Sequence, residues 1–493
     1  MNGLKNNPVI YEINTWVWLR ELAKKHRRPV DLGTVPAREW DDIAALGFDA
    51  VWLMGVWERS PAGIAISMRN PGLLEDFRRA LPDFDAADNV GSPYCIRRYV
   101  ADAHLGGPQG LSAARKALSE RGMGLILDFV PNHVAPDHPW TLEHPEYFIQ
   151  GSAQDLAGDP SSFVETGGRV FACGRDPYFP AWPDVLQLNA FAPGLRRAAI
   201  DTLTDIAGQC DGVRCDMAML LLNDVFERTW GERAGSRPVE DYWREVIPAV
   251  RRAAPGFVFM AEAYWDLEWE LQQQGFDFCY DKRLYDRLEH DGPTAIRSHL
   301  TAGPDYQRRL VRFIENHDEP RAASVFAPGA DRAAAVVALT LPGAALVHEG
   351  QLDGRRVRLP VFLARRPDEK LDGELFAFYH GLLDRLHENR FRNGRWRLLE
   401  CHGWPDNTTC DNLLAWVWET DAARCLVVIN FSPASAQGLI AGFGDDVAGA
   451  TWSLEDLDGI LYVRDGDEMR DQGLYVDLPD WGFHVLEWYR ENA

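Results

Sequence analysis

Leu125-Ile126-Leu127-Asp128-Phe129-Val130-Pro131-Asn132-His133 is a short apolar run of strand type that ends in an amide and an imidazole. A strand apolar on both faces reads as buried in a parallel sheet, with its polar groups delivered at the C-terminal end. The pattern recurs at Gly212-Val213-Arg214-Cys215-Asp216 and at Phe259-Met260-Ala261-Glu262. It appears again at Phe313-Ile314-Glu315-Asn316-His317-Asp318. A lone Asn-His-Asp would be weak evidence. Four such ends in sequence predict parallel strands bringing acidic and imidazole side chains to one common rim.

Working outward, strand and helix signals alternate from the start to about residue 390. Val9 to Trp16 reads as a first strand and Ala37 to Leu46 as a helix; Asp49 to Met54 reads as a second strand. After a long segment, Leu111, Ala114 and Leu118 give helical spacing to the stretch from Pro108 to Arg121, ahead of the third strand, Leu125 to Val130. Alternation resumes with a helix from Pro193 to Gln209. Strands are then expected near Val213, Val258 and Phe276, at Leu310 to Ile314 and at Ala344 to His348.

Eight strand–helix units predict an α/β chain built as a (β/α)₈ barrel, over residues 1–130 and 186–394. A loop domain, residues 131–185, is expected to be inserted after strand three. An open doubly wound sheet is the runner-up, but no Gly-rich phosphate loop follows the first strand. Beyond about Arg395, runs such as Leu413 to Trp418, Cys425 to Asn430 and Gly482 to Trp488 are separated by Gly and Asp turns, with no helical period. Residues 395–493 are therefore expected to form an antiparallel β-sandwich.

At 493 residues the chain is long enough for two or three domains. Its 74 acidic against 51 basic residues give a net charge of −23, a field that repels phosphate backbones and argues against nucleic acid. A neutral sugar is not penalised by that field. The N-terminal stretch Met1 to Pro8 lacks the apolar run of a leader, and no segment approaches the ~18 uninterrupted apolar residues of a membrane span. The eight cysteines contain no CxxC pair, so reduced thiols in a cytoplasmic protein are expected. Asn407-Thr408-Thr409 has the glycosylation spacing but reads as a turn.

The acidic strand ends suggest a chemistry. Cleaving a glycosidic bond needs a proton donor for the leaving oxygen and a carboxylate facing the cationic sugar carbon. Asp216 and Glu262 end consecutive predicted strands and should be neighbours despite the residues between them, while Asp318 ends a third. Arg214, two before Asp216, faces the same way and would keep that carboxylate ionised and oriented. The apolar approach to Glu262 would raise its pKa toward a working acid. Singly, each residue has an ordinary explanation: a strand-end Asp is usually a cap or turn former, and His133 or His317 a hydrogen-bonded core histidine. Capping does not explain Arg two before Asp, Asn before His twice and Glu after a buried strand together.

The four stretches resemble, in order, the four signature regions of the α-amylase family, glycoside hydrolase family 13, over residues 9 to about 390. The C-terminal sandwich is similar to that family's last domain. By this resemblance Asp216 is the nucleophile, Glu262 the general acid/base and Asp318 the transition-state stabiliser. Arg214, His133 and His317 match positions that hold the sugar at the cleavage point. Gly91 to Tyr99 is similar to the stretch whose first Tyr, here Tyr94, stacks beneath that sugar, with Asp128 supporting Arg214. Trp182 to Asn189 resembles a further signature near the end of the inserted domain. Glu319-Pro320-Arg321 is closer to the α-glucosidase and transferase branches and adds Arg321 to the substrate-binding set.

The resemblance implies a retaining enzyme acting on α-glucosidic bonds of malto-oligosaccharides or related short α-glucans. A 4-α-glucanotransferase or an α-glucoside isomerase is the alternative; a non-catalytic scaffold fits the intact acidic trio least. In the family, Asn132 and Asp184 occupy positions that often bind structural Ca²⁺. Two oxygen donors fall short of the six to eight that ion takes, so no required cofactor and a metal-free junction are expected. Many true amylases carry Lys-His three and four residues after the nucleophile. Here Met219 and Leu220 stand there, which predicts either a poor grip on long chains beyond the cleavage point or ordinary packing.

Overall fold

The structure, a computed structural model, describes residues 4–421 and 423–490. The first three residues of the N-terminal stretch and the last three of the C-terminal segment lie outside the described residues. Eight parallel strands close into a barrel: β1 Val9–Asn14, β2 Ala50–Met54, β3 Gly124–Phe129, β4 Gly212–Cys215, β5 Val258–Ala261, β6 Phe278–Tyr280, β7 Leu310–Arg312 and β8 Ala344–His348. Each pairs with the strands before and after it in sequence, and β8 closes on β1 through Val9↔Ala345 to Glu12↔His348. β2 (AVWLM) and β8 (AALVH) are buried at every position, as strands covered on both faces must be.

The observed strands are shorter than expected at their polar ends. β1 stops at Asn14 because that side chain accepts from Val17 N and caps the helix Thr15–His26, so Trp16 is helical. β7 stops at Arg312, and Phe313 to Asp318 form the loop that leaves the rim. The long segment after β2 is more ordered than its sequence reading suggested. It holds an antiparallel hairpin, Trp57–Arg59 with Ile96–Ala101, and helices Pro61–Ser67 and Pro71–Ala80. Ser60-Pro61 and Asn70-Pro71 both place a capping side chain immediately before a Pro at the first helical position, a legible start signal.

Between β3 and β4 lies a four-stranded antiparallel sheet, in the order His133–Val134, Trp182–Gln187, Arg169–Gly174, Phe163–Thr166. The C-terminal part consists of one six-stranded and one three-stranded antiparallel sheet with an apolar layer of its own. One correction applies there: Gly466–Asp471 is a short helix, capped by Asp465 accepting from Glu468 N. Trp416 and Trp418 tie this part to the barrel by donating to Oγ1 and O of Thr340, at 3.2 and 2.7 Å. Among the described residues no disulfide joins any of the eight cysteines. Asn407 is a turn residue whose Oδ1 accepts from N and Oγ1 of Thr409. Among the described residues no helix is long and apolar enough to cross a membrane.

Candidate active site

The ladders joining β3, β4 and β5 continue past the strand ends and set the first two carboxylates side by side. Asp216 N donates to Phe129 O at 2.8 Å, and Glu262 N donates to Cys215 O at 3.0 Å. From within β4, fully buried Arg214 reaches both: Nη1 is 2.5 Å from Asp216 Oδ1 and Nη2 2.9 Å from Glu262 Oε1. Its guanidinium lies 5.1–5.6 Å from the ring centres of Trp52, Tyr94 and Tyr280, which fix it in place.

Glu262 has two further donors. Tyr264 OH lies 2.9 Å from Oε1 and Met217 N 2.5 Å from Oε2. Met217 follows Asp216 directly with φ 43°, a left-handed conformation uncommon for a side-chain-bearing residue; it turns the N–H toward Glu262. Burial, joined by the charges of Asp216 and Asp318, pushes the Glu262 carboxyl up to about 7, against the pull of Arg214. Burial and Asp318 also raise Asp216, opposed by the charge and hydrogen bond of Arg214. The guanidinium therefore orients Asp216 and opposes its protonation, while burial leaves the pKa above the ordinary range.

Asp318 is different. Its side chain is 42% exposed, against 7% for Asp216 and 4% for Glu262. Burial of its carboxylate would raise the pKa, but the charge and hydrogen bond of His317, with Arg214 and Arg358, hold it well below the ordinary range. Asn316 Oδ1 shapes the turn by accepting from N of Asp318 and of Glu319, both at 2.9 Å. Tyr94 OH meets His317 Nε2 at 2.6 Å. His133 is buried against the Trp182 edge at 5.3 Å, and burial pushes it down to about 3, so it is neutral.

Three expected roles are revised by the contacts. Asp128 stands opposite Arg214 in the ladder, but its oxygens accept from Trp52 Nε1 at 3.1 Å and Gly55 N at 2.9 Å. Its support of Arg214 is charge across the ladder. Gly55, with φ 77°, makes that N–H available at the end of β2. Arg321 does not face the carboxylates with its guanidinium: Nη1 donates to Glu315 Oε1, His348 Nδ1 and Glu349 O in a buried cluster. Met219 and Leu220 are 0% and 3% exposed in the main core, so they pack beneath the loop and line no sugar-binding surface. The expected weakness toward long chains loses its basis with them.

Sequence reading missed Glu12, Tyr264 and Met217. Glu12 carried a signal, a single charge inside the apolar run Val9-Ile10-Tyr11-Glu12-Ile13. Tyr264 and Met217 carried none, since their contacts depend on where two loops meet. A cavity of about 810 Å³ lies at the opposite mouth of the barrel, lined by Lys5, Arg251, Asp277 and Arg392. There Arg251 pairs with Asp277, and Lys5 and Arg392 pair with Asp49. It holds no counterpart of the carboxylate set, which lies at the C-terminal strand ends where barrels of this kind carry chemistry.

Asn132, one of the two residues the resemblance offers for Ca²⁺, is hydrogen-bonded to Gln187. The side-chain amide of Gln187 sits among the oxygens a cation would collect, donating to Asn132 O at 3.0 Å, Asn132 Oδ1 at 2.9 Å and Leu188 O at 3.0 Å. Among the described residues no group of three or more His, Cys, Asp or Glu is arranged to hold a metal. With an amide in that position, a chelator is expected to leave the melting temperature unchanged. A fall of several degrees that Ca²⁺ restores would show a cation held by backbone carbonyls instead.

No family model matches the chain. It is 25% identical over 446 residues to the α-amylase MalA of Haloarcula japonica, covering 88% of this chain and 57% of that protein. Over 231 residues it is 35% identical to an α-1,4-glucan:maltose-1-phosphate maltosyltransferase of Rhodospirillum rubrum, covering 45% of this chain and 27% of that one. The chain thus spans about half the length of the first curated relatives it matches. Its fold matches a maltogenic α-amylase of Thermotoga neapolitana with a TM-score of 0.70 at 19% identity, covering 99% of both chains. In the order of its barrel strands, the side chains those strands carry to one rim and its relatives by sequence, the chain resembles α-amylases and related enzymes.

Proposed function

We propose that the protein is a retaining glycosidase acting on α-glucosidic bonds of malto-oligosaccharides or related short α-glucans. One observation carries this reading: a single buried guanidinium joins Asp216 and Glu262, its charge and hydrogen bond opposing protonation of Asp216 while burial pushes Glu262 up to about 7. Two carboxylates with separated proton affinities are what acid and nucleophile require.

In the first step Asp216 forms a bond to the anomeric carbon as the bond to the leaving oxygen breaks. Glu262 gives that oxygen its proton, leaving a glycosyl ester on Asp216 and Glu262 ionised. In the second, Glu262 takes a proton from water, whose oxygen attacks the same carbon and frees Asp216. Arg214 holds both carboxylates and opposes protonation of Asp216. Asp318, ionised and open to solvent, accepts from sugar hydroxyls at the reacting ring, with His317 and Tyr94 beside it. His133, being neutral, serves as a hydrogen-bonding group without charge. Eight cysteines outside any disulfide support a reducing, cytoplasmic setting.

A sugar hydroxyl in place of water in the second step makes the same site a transferase, a reading supported by the maltosyltransferase relative. Incubation with maltotriose, maltoheptaose, sucrose and trehalose, followed by chromatography of the products, separates the outcomes. Shorter glucans only mean hydrolysis, longer ones mean transfer, and interconverted disaccharides mean isomerisation. No reaction with any of them overturns the proposal. Double displacement also fixes the stereochemistry: proton NMR of a fresh digest is expected to show the α-anomer first. Initial β-product would mean direct attack by water and remove the nucleophile's role from Asp216.

A further inference from the structure

Glu12 lies within β1, opposite Trp52 on β2 and His348 on β8, and is 0% exposed. Its Oε1 meets His317 Nδ1 at 2.5 Å, while its Oε2 has no hydrogen-bond partner among the described residues. On the far side of the same imidazole, Nε2 is 2.6 Å from Tyr94 OH and 2.9 Å from Asp318 Oδ2. The ring is thus bracketed by two carboxylates, with the Trp52 edge 5.4 Å away. Around them stand Arg214 on β4 with Asp216 just past it, Asp128 from β3, Tyr280 from β6, His348 from β8 and Tyr94, and Arg321, Glu349 and Arg358 line the pocket beside His317.

A buried carboxylate with one oxygen unpartnered is costly. Holding the Nδ1–H of a neutral imidazole would need only an amide or a carbonyl oxygen. A carboxylate does what an amide cannot: it favours the second proton on the ring. We propose that Glu12 is a positioning residue that keeps His317 an imidazolium, so that both ring N–H groups donate and Asp318 stays ionised and aimed at the sugar. This rests on the glycosidase reading above.

The consequence concerns where the site's proton resides. Three carboxylates share one rim, and each raises the proton affinity of the others. With the imidazolium beside Asp318 and Arg214 opposing protonation of Asp216, the proton is left to Glu262, where leaving-group departure needs it. The charge balance agrees. Burial would lower the pKa of His317, but Asp318 and Glu12 outweigh it and hold the imidazole up to about 10. Burial would raise Glu12, and the charges of His317 and His348 with the His317 hydrogen bond hold it below the ordinary range.

Nitrogen NMR of histidine-labelled full-length protein, with His317→Gln supplying the assignment, tests this without substrate. In the unsubstituted protein His317 should remain an imidazolium from about pH 5 to about pH 9. A ring titrating near its ordinary value overturns the proposal, and that arm needs no stable variant at Glu12. In Glu12→Gln the ring should lose its proton roughly three pH units lower, near neutral pH. On maltotriose, the variant should lose on the order of ten-fold more kcat/KM at about pH 8 than at about pH 6. Its descending limb should steepen from one proton to two. An unchanged pH profile with a uniformly lower rate would reduce Glu12 to core packing and overturn the proposal. A shifted His317 titration in a protein inactive on every α-glucan would uphold the charge assignment while the glycosidase reading falls.

Discussion

Asp216→Asn and Glu262→Gln are each expected to lower kcat by on the order of a thousand-fold or more, because each deletes a bond-making or proton-moving group with no substitute nearby. The two should differ in form. Asn at 216 leaves Arg214 paired with Glu262 alone and removes attack on the anomeric carbon, so no glycosyl ester accumulates. Gln at 262 removes the acid, so substrates with a good leaving group should retain far more activity than maltotriose does. The unsubstituted enzyme should lose activity as pH rises through about 7, where Glu262 gives up its proton before it can donate it. That limb should be absent from the activity Glu262→Gln retains. Melting temperature should barely fall in either variant, since an amide of the same shape replaces a carboxylate whose burial is itself unfavourable. Near-normal turnover in either one would remove the assignment.

The barrel was legible because its strands are apolar on both faces and end in charge. Ala344 to His348 coincides with β8, and Asp216 and Glu262 fall one residue past β4 and β5. What the sequence did not disclose depends on contacts between distant segments. The pairing of Glu12 with His317 joins residues 305 apart, and the amide of Gln187 among the oxygens of Asn132 and Leu188 is visible only once the inserted sheet is folded. Arg321 shows the opposite failure. The family resemblance of the Pro-Arg pair after Asp318 points Arg321 to the sugar, but Glu315 and the Glu349 carbonyl supply acceptors on the inner side, and the guanidinium turns there. Met219 and Leu220 followed the plain rule that consecutive apolar residues beneath a loop pack inward.

Arg214→Met is expected to destabilise the fold as well as abolish activity, which distinguishes it from both carboxylate variants. The guanidinium has 0% side-chain exposure, and its two carboxylate partners are nearly as buried. Burial would lower its own pKa, but Glu262, Tyr94, Tyr280 and Asp216 outweigh that and hold it well above the ordinary arginine value, so the positive charge is permanent. Removing one member of a buried ion pair leaves the other uncompensated, at a cost of about 3–5 kcal/mol. Here two carboxylates lose their cation, and Asp318 loses one of its stabilising charges. Methionine fills much of the space between Trp52, Tyr94 and Tyr280, so the loss reports charge more than a cavity.

The sign of its pH dependence follows from linkage. Without Arg214, Asp216 and Glu262 are raised further above their unfolded values, so the folded state binds more protons than the unfolded one. Stability then falls as pH rises from the unfolded carboxylate range, about 4, through the raised folded values. The melting deficit of Arg214→Met relative to the unsubstituted protein should therefore be large at neutral pH and shrink as pH falls toward about 4. Thermal melts across that range measure it directly. A deficit independent of pH would mean that Arg214 acts through packing against its three rings, and that the carboxylates owe little of their charge to it.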